Sequence, residues 1–261
     1  MRCCTGQVRE HVQAYVDAVT RTGMQVDEFA PRLAFFYVCQ ADFFEEIAKF
    51  RAARRVYAKI MKERFGARDP ESMRLRFHCQ TAAASLTKPQ PKINIVRTGL
   101  QALAAVLGGA QSLHTNGMDE AFAIPTEEAM KIALRTQQII ADETGVASVA
   151  DPLGGSYFVE SLTTQFEQAI FGVLDEVERR GGTVKLIEEG WFQQRIADFA
   201  FDTVKRKASG DKPVIGVNRH VEPDERFDVE IHPYDPTTAE RQIARLQRVR
   251  RERDHTQVAA L

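Results

Sequence analysis

Three times within its first 150 residues the sequence passes from a short apolar run through a polar loop into an amphipathic helix, and then the pattern stops. That alternation commits the chain to a parallel sheet, because parallel neighbours cannot be joined by a tight turn and need a crossover, usually a helix. The first run, Leu33 to Val38, is continuous and aromatic-rich, which predicts a strand buried on both faces. A long helix follows over about Asp42 to Phe65, with Phe43, Ile47, Phe50, Tyr57 and Met61 on one face. Leu75 to Cys79 is the second strand, and Asn94 to Leu107 the second helix, stopped by Gly108-Gly109. Ala110 to His114 is the third strand, and Pro125-Thr126-Glu127-Glu128 opens a helix that runs to Gly145.

The flanks read differently. Val8 to Thr22 predicts a helix closed by Gly23. Beyond the turn Asp151-Pro152-Leu153-Gly154-Gly155, helical stripes run from Tyr157 to Arg180 and from about Trp191 to Lys207. Pro213 to Val217 reads as a short strand or extended arm, and Thr238 to Arg253 as a basic amphipathic helix with Ile243, Leu246 and Val249 on its apolar side. A closed (β/α)8 barrel needs eight strands. Three strands with this much helix predict an α/β fold that is a partial (β/α)8 TIM barrel or a small open sheet. The expected organisation is an N-terminal helix (1–22), a sheet-bearing part (23–150) and a helical extension (151–261). An exposed sheet edge predicts association.

Composition removes several function classes. Lys+Arg 35 against Asp+Glu 36 leaves a net charge of -1, which argues against a general nucleic-acid or anionic-membrane binder. No apolar run approaches the ~20 residues that span a bilayer, and the first residues hold no signal-peptide core. The four cysteines, Cys3, Cys4, Cys39 and Cys79, have no zinc spacing and read as reduced thiols of a cytoplasmic protein.

No P-loop, GxGxxG, HExxH or nucleophile elbow is present. The informative polar residues sit around the expected strand ends: His78 and Gln80 on the second strand, then Gln111, Ser112, His114, Asn116, Asp119 and Glu120 around the third. Ligand sites of parallel α/β folds lie outside the carboxyl ends of the strands, and these side chains suit sugar hydroxyls, thioester carbonyls or amide edges. Helix capping is their ordinary alternative use. Arg32, before the first strand, suits a phosphate or carboxylate, with a surface salt bridge as the default. Lys49, Arg51, Arg54 and Arg55, one turn from Glu45 and Glu46, read as a solvated face held by pairs along the helix. Arg241, Arg245, Arg248, Arg250, Arg251 and Arg253 make the tail cationic, a face for a subunit or domain contact rather than for nucleic acid.

The residues themselves carry a resemblance. GMQVDEFAPRL (23–33), FEEIAKFRAARR (44–55), RLRFHCQTAAASLT (74–87), INIVRT (93–98), GGAQSLHTNGMDEAFAIPTE (108–127), ADPLGGSYFVESLT (150–163) and VIGVN (214–218) closely resemble the large, substrate-binding subunit of the adenosylcobalamin-dependent acyl-CoA mutases, the methylmalonyl-CoA mutase family. The resemblance implies the C-terminal portion of a barrel whose axis takes the pantetheine arm of a CoA ester. It also implies a cobalamin-binding subunit or domain at the barrel's C-terminal face, and an isomerase that rearranges a short branched acyl-CoA by radical chemistry.

Carried over by position, the resemblance implies that Arg32, Leu33, Ala34, His78, Gln80 and Gln111 bind substrate, and that Asn116, Glu120 and Ala83 face the cofactor. Ala34 stands at a usual serine, Ala83 at a usual glycine, Lys92-Ile93 at a usual Tyr-Asn and Gly117 at a usual serine. The family's upstream Tyr-His pair and its cobalamin-binding DxHxxG segment have no counterpart in this sequence, so no catalytic residue is identified. The expected function is therefore that of a mutase portion working in a homo- or hetero-oligomer with a complementary barrel chain. A non-catalytic assembly or acyl-CoA-binding remnant is the alternative.

Overall fold

Phe35–Cys39 (β1), Phe77–Thr81 (β2) and Ser112–His114 (β3) form one parallel sheet in the order β1-β2-β3. They belong to a computed structural model that describes residues 5–222 and 229–260, so Cys3 and Cys4 lie outside the described residues. The fold is α/β with a small sheet and a helical majority. Thr5–Thr20 (α1) and the single turn Val26–Phe29 (α2) precede the sheet. Phe43–Lys59 (α3) crosses from β1 to β2 and Asn94–Leu107 (α4) from β2 to β3. Glu127–Asp142 (α5) follows β3, its N-terminus capped by the Thr126 hydroxyl.

The strands begin two residues later than the apolar runs suggest. Leu75 is buried ahead of β2 and outside its ladder, while the Arg76 guanidinium turns back to the Pro31 carbonyl, 2.7 Å away. The run that marks the strand in sequence thus includes core residues that precede it. β1 also corrects the expectation of two-sided burial. Tyr37 and Cys39 are buried, but Phe36 is 53% and Val38 37% exposed. Phe50 of α3 meets Tyr37 and Phe77 ring to ring, so the helix covers only the face that the odd-numbered residues present.

Helix α3 is buried on two sides. Ile47, Phe50, Ala53, Tyr57 and Met61 close over the sheet together with Ala104 and Ala105 of α4. Ala48, Ala52, Val56 and Ile60 meet Phe166, Ile170 and Leu174 of Tyr157–Arg179 (α6). The α3–α4 contact depends on a glycine: a Cβ at Gly108 would fall 2.5 Å from Phe50 Cδ2.

Of the basic stretch on α3 expected as a solvated face, Arg55 is exposed and Lys49 keeps a partner one turn away, but Lys49 and Arg51 are buried. Lys49 is 5% and Arg51 8% exposed. Lys49 pairs with Glu46 and donates to the Val38 carbonyl at 2.7 Å. Arg51 bridges Asp151 and Glu160, Arg55 also reaches Glu160 at 2.7 Å, Lys59 pairs with Glu167, and Arg54 donates to the Gly108 carbonyl. Most of these partners lie about a hundred residues further on, where local spacing cannot reveal them.

Thr183–Glu188 (α7) and Trp191–Ser209 (α8) form a small satellite core, Leu186 and Phe192 meeting Val177 of α6, with Arg180 and Arg195 over the Trp191 ring. Pro213 to Val217 is neither strand nor extended arm. It curls into a turn, bridged from Ile215 to Arg219, because Asn218 accepts from the Val214 N–H and donates to the Lys207 and Lys212 carbonyls. Thr238–Glu252 (α9) buries none of its residues, and His255–Ala260 (α10) ends the described chain. Among the described residues, no helix is long and apolar enough to cross a membrane.

Two outcomes test this frame. Ile170→Ala leaves a cavity between α3 and α6 and is expected to cost about 3 kcal/mol in urea unfolding. The second concerns pH. A hydrogen bond from Arg51 holds the Asp151 carboxyl below its ordinary range; the Gly155 N–H, with Arg51 and Arg55, does the same for Glu160. Carboxylates lowered in the fold bind fewer protons there than in the unfolded chain. Their contribution is complete above the ordinary carboxylate range and is lost as pH falls through their lowered values. Arg51→Met is expected to flatten that acid loss, read as unfolding midpoint against pH.

Candidate functional site

The sheet face that α3 does not cover carries two lateral rows of side chains. Register aligns Phe36 with His78 and Ser112, and, two residues further along, Val38 with Gln80 and His114. The rows are apolar on β1 and polar on β2 and β3. His78 and Gln80 therefore lie within β2 rather than beyond its end. Phe36 and Val38 are members of the face that the motif reading passed over; the aromatic run hides their alternation with the buried Tyr37 and Cys39.

Each polar head is held from the side. His78 Nδ1 lies 2.8 Å from Ser112 Oγ, and the Phe36 ring sits 5.1 Å from the imidazole, centre to centre. Gln80 is fixed by Asn116, which is 2% exposed. Asn116 donates through Nδ2 to the Thr81 carbonyl at 2.8 Å, so its Oδ1 faces Gln80 Nε2 at 2.9 Å. That chain of donors leaves Gln80 Oε1 as an open acceptor on the face. Asn116 thus acts on the face through Gln80.

The C-terminal ends of the strands open into loops held by α4. Buried Gln101 accepts from the Ala82 N–H at 2.7 Å and donates to Ser85 Oγ at 2.6 Å, and Ser85 closes the ring on the Ala82 carbonyl at 2.7 Å. This ring fixes the turn that presents Ala83 to solvent. Ala83 has no left-handed φ, so its methyl costs no backbone strain. Asn94 ties the Thr87 carbonyl to the Met118 carbonyl, joining this loop to the one after β3; Lys92 and Ile93 form the turn that enters α4. Neither Gln101 nor Asn94 carries a sequence signal beyond a polar residue on an apolar helix.

In the loop after β3, buried Asp119 accepts from the Thr126 N–H at 2.7 Å. A Cβ at Gly117 would lie 2.6 Å from Asp119 Oδ1, so that packing requires glycine. Glu120, half-buried beside it, has no side-chain hydrogen bond or ion pair among the described residues.

The opposite ends of the strands hold the remaining residues. Arg32 and Ala34 are exposed just before β1, and Leu33 packs on the core. The Arg32 guanidinium forms no salt bridge among the described residues, so its default use is not realised. Gln111 commits its amide to backbone: it accepts from the Phe77 N–H at 2.7 Å and donates to the Gly109 carbonyl at 2.9 Å. It closes the start of β2 at Phe77, the residue before His78. Cys39 and Cys79 point away from the face. They are buried free thiols, and their contact together with burial pushes the Cys39 thiol well up.

Of the predicted residues, the structure thus brings His78 and Gln80 together on the uncovered face, with Asn116 behind Gln80; Arg32, Leu33, Ala34 and Gln111 lie at the starts of the strands, and Ala83 and Glu120 in the loops beyond their ends. The sequence model of methylmalonyl-CoA mutase matches residues 10–261, beginning inside α1. The chain is 75% identical over 247 residues to the 2-hydroxyisobutanoyl-CoA mutase large subunit of Aquincola tertiaricarbonis, an alignment that covers 95% of this chain and 44% of that protein. It is 44% identical over 240 residues to the mitochondrial methylmalonyl-CoA mutase of Macaca fascicularis, covering 90% of this chain and 32% of that one. With the methylmalonyl-CoA mutase of Cereibacter sphaeroides the identity is 43% over 247 residues, 92% of this chain and 34% of that protein. The chain therefore spans between a third and a half of these relatives, and a match of this length and order leaves one conclusion: it belongs to the methylmalonyl-CoA mutase family.

Proposed function

We propose that this chain supplies the C-terminal part of the (β/α)8 barrel of an acyl-CoA mutase large subunit. Residues 23–150 give about the last three βα units, residues 151–261 a helical extension and residues 1–22 a leading helix. The observation that carries this reading is the uncovered face. It carries an imidazole and an amide, with a guanidinium before β1 and a carboxylate beyond β3 that form no ion pair among the described residues. A CoA ester laid along it meets them in the order of its own chemistry. Arg32, beside Leu33 and Ala34, takes the charged nucleotide end, and His78 and Gln80 take the acyl end. Gln111 keeps the strand start in register beneath the ligand.

Glu120, with an unengaged carboxylate, suits ribose hydroxyls, and exposed Ala83 leaves the mouth open to a large planar group, so the residues present fit adenosylcobalamin. When bound, adenosylcobalamin supplies the radical from which a 1,2-rearrangement starts. This chain's residues orient the ester and hold Gln80 through Asn116. The activity is isomerisation of a short branched acyl-CoA, carried out in the cytoplasm with a complementary barrel chain and a cobalamin-binding subunit. The partners cover the sheet's open face.

Calorimetric titration with isobutyryl-CoA and methylmalonyl-CoA, combined with the adenosylcobalamin spectrum and product analysis, tests this. Saturable CoA-ester binding without turnover is expected from the chain alone. Arg32→Ala should weaken that binding about ten-fold, the effect of losing one charged hydrogen-bonding group. Turnover by the isolated chain would remove the need for a complementary chain. Failure to bind either ester would overturn the assignment of the face.

A further inference from the structure

Arg97 stands in the first turn of α4, where the helix dipole disfavours a cation, and no acidic residue shares that turn. It is half-buried and pairs with no carboxylate among the described residues, and desolvation lowers its pKa from the ordinary guanidinium value. A charge so placed has to be carried by hydrogen bonds. Three neutral oxygens supply them. Nη1 donates to Thr87 Oγ1 and to Asn94 Oδ1, both at 2.8 Å, and Nη2 donates to the Ile215 carbonyl at 2.7 Å. The first two belong to the loop after β2 and to the helix it enters, while the third lies beyond α8, 118 residues further on. A second tie runs beside it. Gln90 takes a left-handed backbone conformation at φ +49°, uncommon for a glutamine, and its Nε2 donates to the His220 carbonyl at 3.0 Å. Between the two carbonyls, buried Gly216 lies against the Gln90 side chain; its φ is +79°, and a Cβ there would meet Gln90 Cδ at 3.2 Å.

We propose that residues 214–220 are a strap across the loop of residues 82–93, and that the loop keeps its shape only while Arg97 and Gln90 hold the strap. The strap is built without the loop: Asn218 accepts from the Val214 N–H and donates to the Lys207 carbonyl in α8 and the Lys212 carbonyl after it. The loop has no such internal frame, only two single turns. Gln101 holds its first residues and Asn94 holds Thr87. The strap holds Gln90 and, through Arg97, Thr87 a second time. When the strap lifts, Arg97 loses one of three acceptors while most of its burial persists, and nothing offsets the left-handed backbone of Gln90. The loop then loosens with it. Ala83, Lys92 and Ile93 lie on this loop, so a segment beyond α8 governs the mouth of the uncovered face. The coupling goes beyond the acyl-CoA reading, since it concerns how the loop is held and not which group meets it.

The test is hydrogen exchange of the full chain, read peptide by peptide by mass spectrometry, in wild type, Asn218→Ala and Arg97→Met. Asn218 bonds only within the strap and to the end of α8, so its loss should release the strap from within. Exchange in residues 213–220 should rise, and residues 84–93, which Asn218 does not hold, should rise by a similar factor. Arg97→Met should act in the other direction. It changes no residue of the strap, yet exchange in residues 213–220 should become about ten-fold faster, the effect of losing one hydrogen bond to a charged group. Peptides from α3 and from β2 should keep wild-type exchange in both variants. Brief trypsin treatment gives a second readout, because the bond after exposed Lys92 should be cut faster in both variants. Residues 84–93 and the Lys92 bond at wild-type rates in Asn218→Ala overturn the proposal. Wild-type exchange of residues 213–220 in Arg97→Met overturns it as well. An equal rise in α3 also overturns it, because the strap would then support the whole fold rather than the loop.

Discussion

Helix α3 is the wall on which both halves of this molecule are built. One side of it seals the sheet with Ile47, Phe50 and Tyr57, and the other receives α6 through Ala48, Ala52 and Val56. The small side chains on the second side let the helices approach closely, and Phe166, Ile170 and Leu174 fill the seam. Apolar contact alone does not orient two helices in rotation, whereas directional ion pairs do. Arg51, nearly buried, reaches Asp151 in the turn before α6 and Glu160 in its first turn. Asp151 adopts a left-handed backbone conformation at φ +44°, which aspartate tolerates better than most residues. The extension is thereby fixed at its start, and the rest of α6 follows along the apolar stripe.

The same wall determines where chemistry is possible. With the odd-numbered β1 residues sealed under α3, the alternation of a strand sends Phe36 and Val38, His78 and Gln80, Ser112 and His114 to the opposite side. Side chains on a sheet stand on rigid backbone, which suits positioning better than a loop does. Lys49 adds to this from the helix. Ala82 N–H bonds to the Cys39 carbonyl and Phe35 N–H to that of Arg76, so the alternating ladder turns the Val38 carbonyl away from β2. The Lys49 ammonium meets it there at 2.7 Å, with Glu46 balancing the charge. A buried lysine thus satisfies a carbonyl on the free edge of β1.

Periodicity made the helices legible because it reports burial along a single element. The α4 limits, Asn94 and Leu107, coincide with the sequence reading, and α6 differs by one residue at its end. Strands were less legible for the same reason. Five residues give too few repeats to separate a run buried on both faces from one buried on a single face, and Phe36 and Val38 are apolar although exposed. The α3 cations were misjudged because local spacing shows Glu45 and Glu46 but not Asp151 or Glu160. At the site, His78 and Gln80 were visible as polar residues in an apolar run. What holds them was not: the Ser112 and Asn116 contacts exist only once the parallel register is set. Arg32 was legible by type and place, and the structure adds that its guanidinium has no carboxylate partner among the described residues.

The departures from the family's usual residues carry unequal physical weight. Alanine at position 83 adds a methyl to an exposed turn with ordinary backbone angles, and the Gln101–Ser85 ring beneath it is unaffected by that methyl. Glycine at position 117 is different, because the loop has closed into the space that a side chain would take. Asp119 Oδ1 lies where a Cβ would stand 2.6 Å away, Pro125 approaches from the other side, and Asp119 in turn holds Thr126, the cap of α5. The Glu120 N–H bonds back to the Gly117 carbonyl at 3.2 Å, so the backbone of the free carboxylate is tied to the same glycine. A serine at 117 would crowd the Asp119 carboxylate, which would have to shift from its place on Thr126. Position 117 thus differs from position 83: its neighbours leave no room for a side chain, whereas Ala83 is exposed.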